Sequence, residues 1–86
     1  MKENFLLKFK EVLETEDKEV LLSDKFRDYD EWNSLVFLSL IAMIDEEFDV
    51  IIEGKYFKQL QTVGEIIEAI QHNTTHHVYE SLHIAV

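Results

Sequence analysis

The sequence predicts a single, mainly helical domain of the all-α class. The chain has 86 residues with no proline and only two glycines, so strong helix breakers are nearly absent. In several segments, apolar residues recur at spacings of three and four, as they do on one face of an α-helix. The chain is too short for two independent cores, and because it lacks cysteine the fold must depend on one well-packed apolar core.

The first helix is predicted near the N-terminus, and a long loop follows it. The apolar stripe of this helix consists of Phe5, Leu6, Phe9, Val12 and Leu13. The pattern stops near residues 15–17, where charged residues take over. Residues 16–33 show no helical period, and a segment this long is unusual as a loop in a compact domain. We therefore expect Leu21, Leu22 and Phe26 to anchor it against the helices.

The second and most apolar helix is predicted to begin at Asn33 or Ser34, because either side chain can cap it. Its predicted core stripe consists of Phe37, Leu38, Ile41, Ile44 and Phe48. Other faces carry Leu35, Val36, Ser39, Ala42 and Met43. A helix that is apolar nearly all round is buried on several sides or presents a face to a partner. Acidic residues crowd its C-terminal end, where they oppose the helix dipole, which is weak evidence that they serve another purpose.

A short β-branched run, residues 50–52, follows this helix. No second strand is evident to pair with it, so we expect an extended connection. It leads to a short turn or helix around residues 55–58, in which Tyr56, Phe57 and Leu60 are predicted to be buried.

The last helix of the domain is predicted from a capping box. Thr62 is the cap, and Glu65 follows three residues later. The apolar stripe of this helix consists of Val63, Ile66, Ile67 and Ile70. We assign residues 1–70 to the helical domain and residues 71–86 to a C-terminal tail, flexible or partly helical.

Acidic residues dominate the charge of the chain. Eight Lys and Arg against 18 Asp and Glu give a formal net charge of −10. Such a surface repels a phosphate backbone, which excludes nucleic-acid binding as a first hypothesis, and it attracts partners with a basic docking patch. No segment is long and apolar enough to span a bilayer, so we expect a cytoplasmic protein.

Few residues could carry catalysis or bind a metal. The chain has no cysteine and no glycine-rich phosphate loop, and its carboxylates are not spaced as an acid–base pair, so we expect no enzyme activity. His72 and His76 could share a metal on a helix, but no carboxylate follows in register, and a solvated tail without metal is favoured. Ser34 has no His–acid pair to activate it, so it is either a plain helix cap or a site modified by another enzyme.

Residues 34–49 resemble the second helix of an acyl carrier protein. In that family, a serine in an Asp-Ser-Leu motif precedes an apolar helix that ends in three acidic residues and a phenylalanine. Here the motif reads Asn33-Ser34-Leu35, and the helix ends in Asp45-Glu46-Glu47-Phe48. The similarity extends over about residues 3–70. It implies a four-helix bundle with a long first loop and a short third helix.

The resemblance also implies a function. A phosphopantetheinyl transferase would attach 4′-phosphopantetheine from coenzyme A to the hydroxyl of Ser34, and the arm would hold acyl or aminoacyl groups as thioesters. The implied partners are an acyl-activating ligase, a synthase or an acyltransferase of lipid or secondary-metabolite biosynthesis, each with a basic docking patch, and the carrier itself is expected to be a monomer. The implied docking residues are Asn33, Leu35, Val36, Ser39, Ala42, Met43 and Glu46.

Three departures from the family pattern affect this interpretation. Asn33 replaces the usual Asp, which keeps the capping ability but removes a charge. Val36 and Ser39 occupy positions that are often acidic in fatty-acid carriers, so the docking face is more apolar here. Trp32, which precedes the motif, resembles specialised stand-alone carriers rather than the housekeeping fatty-acid carrier. We therefore expect a dedicated partner enzyme. Because Asn33 could prevent modification, an alternative stays open, namely an unmodified, carrier-like module that binds a protein.

Overall fold

Four α-helices form the described part of the chain, residues 1–72, in the computed structural model. Helix α1 spans Lys2–Leu13, α2 spans Ser34–Phe48, α3 spans Gly54–Phe57, and α4 covers residues 63–72. A 3₁₀ turn, Phe26–Asp28, lies in the long connection between α1 and α2. Residues 1–72 contain no β-strand and only one isolated bridge, between Lys25 and Thr62. The predicted all-α bundle with a long first loop and a short third helix is therefore confirmed.

The first and last helices pack as their apolar stripes predict. Buried residues of α1 are Phe5, Phe9 and Leu13, and those of α4 include Val63, Ile66, Ile67 and Ile70. The capping box of α4 is formed, since the Glu65 N–H donates to Thr62 Oγ1 and the Thr62 N–H donates to Glu65 Oε1, both over 3.2 Å. Helix α4 continues through residue 72, and the rest of the predicted tail, residues 73–86, lies outside the described part of the chain.

Helix α2 packs four of its five predicted stripe residues in or against the core, namely Phe37, Ile41, Ile44 and Phe48, but Leu38 and Met43 differ from the prediction. Its buried residues are Leu40, Met43 and Ile44. Leu38, predicted in the core, is 61% exposed, and Met43, predicted on an outer face, is only 8% exposed. Both expectations were wrong because a helix that is apolar nearly all round does not show by itself which side packs. The packing of α2 against α1, where the rings of Phe5 and Phe48 lie 6.1 Å apart, decides which residues of α2 are buried.

The long loop is held to the start of α4 by main-chain hydrogen bonds. The Gly64 N–H donates to the carbonyl oxygen of Leu22 over 2.8 Å, and the Val63 N–H donates to that of Asp24 over 3.0 Å. A Cβ atom on Gly64 would lie 3.1 Å from the Leu22 oxygen. Glycine therefore allows the loop and the helix to approach closely.

The side-chain anchors of the loop differ from the prediction. Phe26 is fully buried as expected, and Val20 is buried beside the same core. Leu21 and Leu22 are exposed, so their assignment as anchors was wrong. The reason is that the loop touches α4 through its main chain at this point, which leaves both leucine side chains free to point outward.

Asp24 organises the loop internally. Its Oδ2 atom accepts a hydrogen bond from the Leu21 N–H over 3.0 Å and another from the Tyr29 hydroxyl over 2.7 Å. These two hydrogen bonds favour the charged carboxylate and hold the pKa of Asp24 below its usual value of 3.8. Burial, together with the Asp24 carboxylate, raises the pKa of Tyr29.

The short helix α3 places one aromatic side chain inside and one outside. Phe57 and Leu60 are buried as predicted, whereas Tyr56 is 42% exposed. The expectation for Tyr56 was wrong because a helix of four residues turns only part of its surface toward the core. The preceding residues 50–52 belong to no helix, strand or bridge, so the absence of a strand partner within residues 1–72 agrees with the prediction.

Candidate functional site

Ser34 is the first residue of α2, but it is not the residue that caps the helix. Asn33 has extended backbone geometry, and its Oδ1 atom accepts a hydrogen bond from the Val36 N–H over 2.8 Å. Within residues 1–72, the hydroxyl of Ser34 has no hydrogen-bond partner, and the residue is exposed. Of the two caps that the sequence left open, the structure selects Asn33, so the Ser34 hydroxyl is available for chemistry.

Ser34 lies at the edge of a cleft of about 340 Å³. The residues that line this cleft are Arg27, Trp32, Asn33, Ser34, Phe37, Phe57 and Lys58. They come from the long loop, the first turn of α2 and the end of α3. Two of them are cations, three are aromatic, and none is a carboxylate or a histidine. We call it the serine cleft.

Aromatic rings form the wall of the serine cleft. Phe57 is 1% exposed and packs against three other rings. The Trp32 ring lies parallel to it with centroids 6.1 Å apart, and the rings of Phe37 and Phe26 tilt against it at 5.2 and 5.3 Å. Offset and tilted arrangements at these distances are favourable for aromatic pairs. The wall beside Ser34 is therefore both apolar and well ordered by packing.

Arg27 joins the loop to α3 at the edge of this wall. Its Nη2 atom donates to the Phe57 carbonyl oxygen over 3.0 Å, and its Nη1 atom donates to the carbonyl oxygen of Leu60. The guanidinium carbon lies 4.7 Å from the centre of the Phe26 ring. These contacts hold the 3₁₀ turn against α3, and they fix a positive charge in the serine cleft.

The two cations of the serine cleft have no acidic partner in the part of the chain that the structure describes. In residues 1–72, ion pairs join Lys8 to Glu47 at 3.8 Å and Lys18 to Glu31 at 3.4 Å, while Arg27 and Lys58 take part in none. Sequence analysis missed both residues as site residues. The available signal was their scarcity, because two of the eight basic residues of a strongly acidic chain meet at one serine.

A second cleft, of about 320 Å³, brings together several predicted docking residues. Asn33, Leu35, Val36 and Ser39 line it with residues from the end of α1 and with Glu31 of the loop. Glu11 of α1 and Glu14, which directly follows α1, are acidic, so this second cleft has an acidic rim. Asn33 lines both clefts.

The remaining predicted docking residues lie farther along α2, and not all of them are exposed. Ala42 and Glu46 are exposed, whereas Met43 is buried in the core. Leu38, which the prediction had placed in the core, is exposed on α2 together with Leu35 at 72%. The exposed face of α2 thus begins apolar and ends acidic.

Neither a metal site nor a membrane span is found in the part of the chain that the structure describes. No group of three His, Asp or Glu side chains in residues 1–72 is arranged to hold a metal ion. His72 is exposed at the end of that range, and His76 lies outside it. No helix in the same range is long and apolar enough to cross a membrane.

Comparison with known proteins identifies one family. A family model described as a phosphopantetheine attachment site matches residues 5–70, which include most of α1, all of α2 and α3, and α4 up to residue 70. The matched range contains Ser34 and both clefts. Comparisons with curated proteins and with solved structures return no significant match.

Proposed function

The chain belongs to the family of phosphopantetheine-attachment carrier domains, and we propose that Ser34 is the residue to which the prosthetic group is attached. One observation carries this proposal. The Ser34 hydroxyl is exposed at the start of α2 and has no hydrogen-bond partner among the described residues 1–72, while the neighbouring Asn33 performs the capping that would otherwise occupy it. A serine that is not needed as a cap is free to react.

The residues around Ser34 fit the group chemically. An exposed hydroxyl beside an open cleft can be reached by a modifying enzyme, and the cations in that cleft suit a phosphate. No residue lining the cleft can act as a general base, so a separate transferase must activate the hydroxyl. In that reaction, Ser34 Oγ forms a bond to the phosphorus next to the pantetheine of coenzyme A, the bond to the other phosphate breaks, 3′,5′-ADP leaves, and the transferase accepts the hydroxyl proton.

The function that follows is that of a carrier. The bound arm supplies a terminal thiol that holds acyl or aminoacyl groups as thioesters. Residues 1–70 form the carrier domain in this proposal, and the chain presents cargo to an activating ligase, a synthase or an acyltransferase without itself being an enzyme. The protein chain contributes the attachment serine, the rigid bundle that positions it, and the surface that partners recognise.

We place partner recognition on the exposed face of α2. Leu35, Leu38 and Ala42 offer an apolar surface in its first half, and Glu46 belongs to the acidic second half. With a net charge of −10, the chain suits a partner whose apolar docking surface is bordered by basic residues. Met43 is withdrawn from the docking set because it is buried.

The attachment proposal is tested by intact-mass spectrometry. The purified protein is incubated with coenzyme A and a broad-specificity phosphopantetheinyl transferase. We expect the mass to increase by one phosphopantetheine, and Ser34→Ala to abolish the increase. Ser23→Ala removes another exposed serine, which lies in the long loop and outside the predicted docking residues, and it serves as the control that should be modified normally. No mass gain with several transferases would refute the proposal and favour the unmodified interaction module.

A further inference from the structure

We infer that the serine cleft binds the phosphate of the attached arm through Arg27 and Lys58, and holds the first segment of the arm against the protein. This inference rests on the proposed function, since it requires the group to be attached at Ser34. It adds a binding site on the carrier's own surface for the part of the arm nearest to the serine.

Charge is the first argument. Phosphate bonded directly to Ser34 Oγ would lie at the edge of a cleft whose charged lining residues are both cations. The ammonium group of Lys58 makes no hydrogen bond or ion pair within residues 1–72, so it can donate to a phosphate oxygen without losing an existing contact. Hydrogen bonds between charged partners are about twice as strong as neutral ones.

Preorganisation is the second argument. The two carbonyl oxygens of Phe57 and Leu60 hold the Arg27 guanidinium in place, and the Phe26 ring supports it. An arginine that is already ordered loses little conformational entropy when it binds an anion. The first turn of α2, which begins at Ser34, adds main-chain N–H groups that favour negative charge at the same end of the cleft.

The shape of the cleft is the third argument. The segment that follows the phosphate in pantetheine is a branched carbon with two methyl groups, which is compact and apolar. Trp32 and Phe37 line the cleft with ring surfaces that suit such a group. The volume of about 340 Å³ is within the range of pockets that hold small ligands, roughly 300–1,000 Å³, so the cleft has room for more than a phosphate alone.

The consequence is a carrier whose arm is docked at its base rather than free from the serine onward. Because the attraction is electrostatic and partly exposed, it weakens as salt rises. The Debye length falls from about 10 Å at 0.1 M ionic strength to about 3 Å at 1 M. In this proposal, the phosphate end of the arm leaves the serine cleft when the cargo is delivered to a partner.

The test uses the full chain loaded with ¹⁵N-labelled phosphopantetheine, with intact mass recorded first. NMR relaxation then gives the order parameter of the arm amide nearest the phosphate. In the wild type we expect a value approaching that of rigid backbone, about 0.85, and in Lys58→Gln a value below about 0.6, as for a flexible segment. Lys55→Gln removes a charge from the same helix but outside the cleft, and should behave like the wild type.

The outcomes separate the two proposals. Absence of the mass gain refutes attachment and the inference that rests on it. A normal mass gain with an arm amide that is equally flexible in wild type and Lys58→Gln leaves attachment intact and overturns the docked arm. Ordering that appears only after an acyl group is loaded also overturns it, because the cleft would then serve the cargo. Lys58 is chosen over Arg27 because the Lys58 side chain makes no hydrogen bond or ion pair within residues 1–72, whereas the Arg27 side chain donates to two carbonyl oxygens.

Discussion

Replacement of Phe57 by alanine tests whether the aromatic wall behind Ser34 holds the fold together. Phe57 is 1% exposed, and truncation of a buried Phe to Ala costs about 3–5 kcal/mol. Three rings lie within 5.2 to 6.1 Å of it, and each such pair contributes about 0.5–1.5 kcal/mol beyond buried area. We therefore expect the free energy of unfolding to fall by an amount in the upper half of that range, about 4–5 kcal/mol.

A loss of that size is large for this chain. Small domains have free energies of unfolding near the lower end of about 5–15 kcal/mol, so Phe57→Ala would leave a substantially unfolded population. Urea unfolding followed by far-ultraviolet circular dichroism measures the difference. Tyr56→Ala is the matched control, since it makes the same kind of truncation on the same helix at a residue that is 42% exposed.

We expect Tyr56→Ala to lower the free energy of unfolding by less than about 1 kcal/mol, as substitutions at exposed positions usually do. The change in helix propensity is nearly the same for the two substitutions and cancels in the comparison. Equal losses for the two variants, or a loss below about 2 kcal/mol for Phe57→Ala, would show that the wall is not a centre of stability. The description of the serine cleft as rigid would then have to be abandoned.

Two further predictions concern polar residues of the long loop. Asn33→Ala should lower the free energy of unfolding by about 1 kcal/mol, because the Val36 N–H loses its acceptor. Asn33→Asp should keep the cap and most of the stability. Urea titration of both variants shows whether capping accounts for the contribution of Asn33 to stability. Asp24 has a pKa held below 3.8 by the Leu21 N–H and the Tyr29 hydroxyl, so its stabilisation is present above that pH and is lost as the pH falls through the folded-state pKa. The free energy of unfolding, measured between about pH 5 and about pH 2, should therefore fall more steeply with decreasing pH for the wild type than for Asp24→Asn. Equal slopes for the two proteins would contradict the assignment.

The helices were predictable because their signals are local. The capping box of Thr62 and Glu65 and the stripes of α1 and α4 depend on residues within a few positions of each other, and the structure contains all of them. Resemblance to a family, rather than any local pattern, identified Ser34 as a candidate for modification. The family match over residues 5–70 confirms the resemblance, while the role of Ser34 as the attachment residue stays a prediction.

The serine cleft was not predictable because no local pattern encloses it. Arg27 belongs to the loop, Trp32 precedes α2, and Lys58 follows α3, so they meet only after the bundle has formed. A lone arginine in a charged loop has the same appearance in sequence whether it is solvated or bound to two carbonyl oxygens. The hydrogen bonds of Arg27 to α3 exist only in the folded chain.

By itself, the sequence determined the all-α class, the capped starts of α2 and α4, and the acidic character of the surface, because propensity, capping and charge are properties of neighbouring residues or of composition. Only the tertiary structure decided that Met43 faces inward and Leu38 outward, and that Trp32 stacks on Phe57 beside Ser34. The physical reason is that an all-round apolar helix can bury several alternative faces at similar local free energy. Contacts with distant segments select one of them.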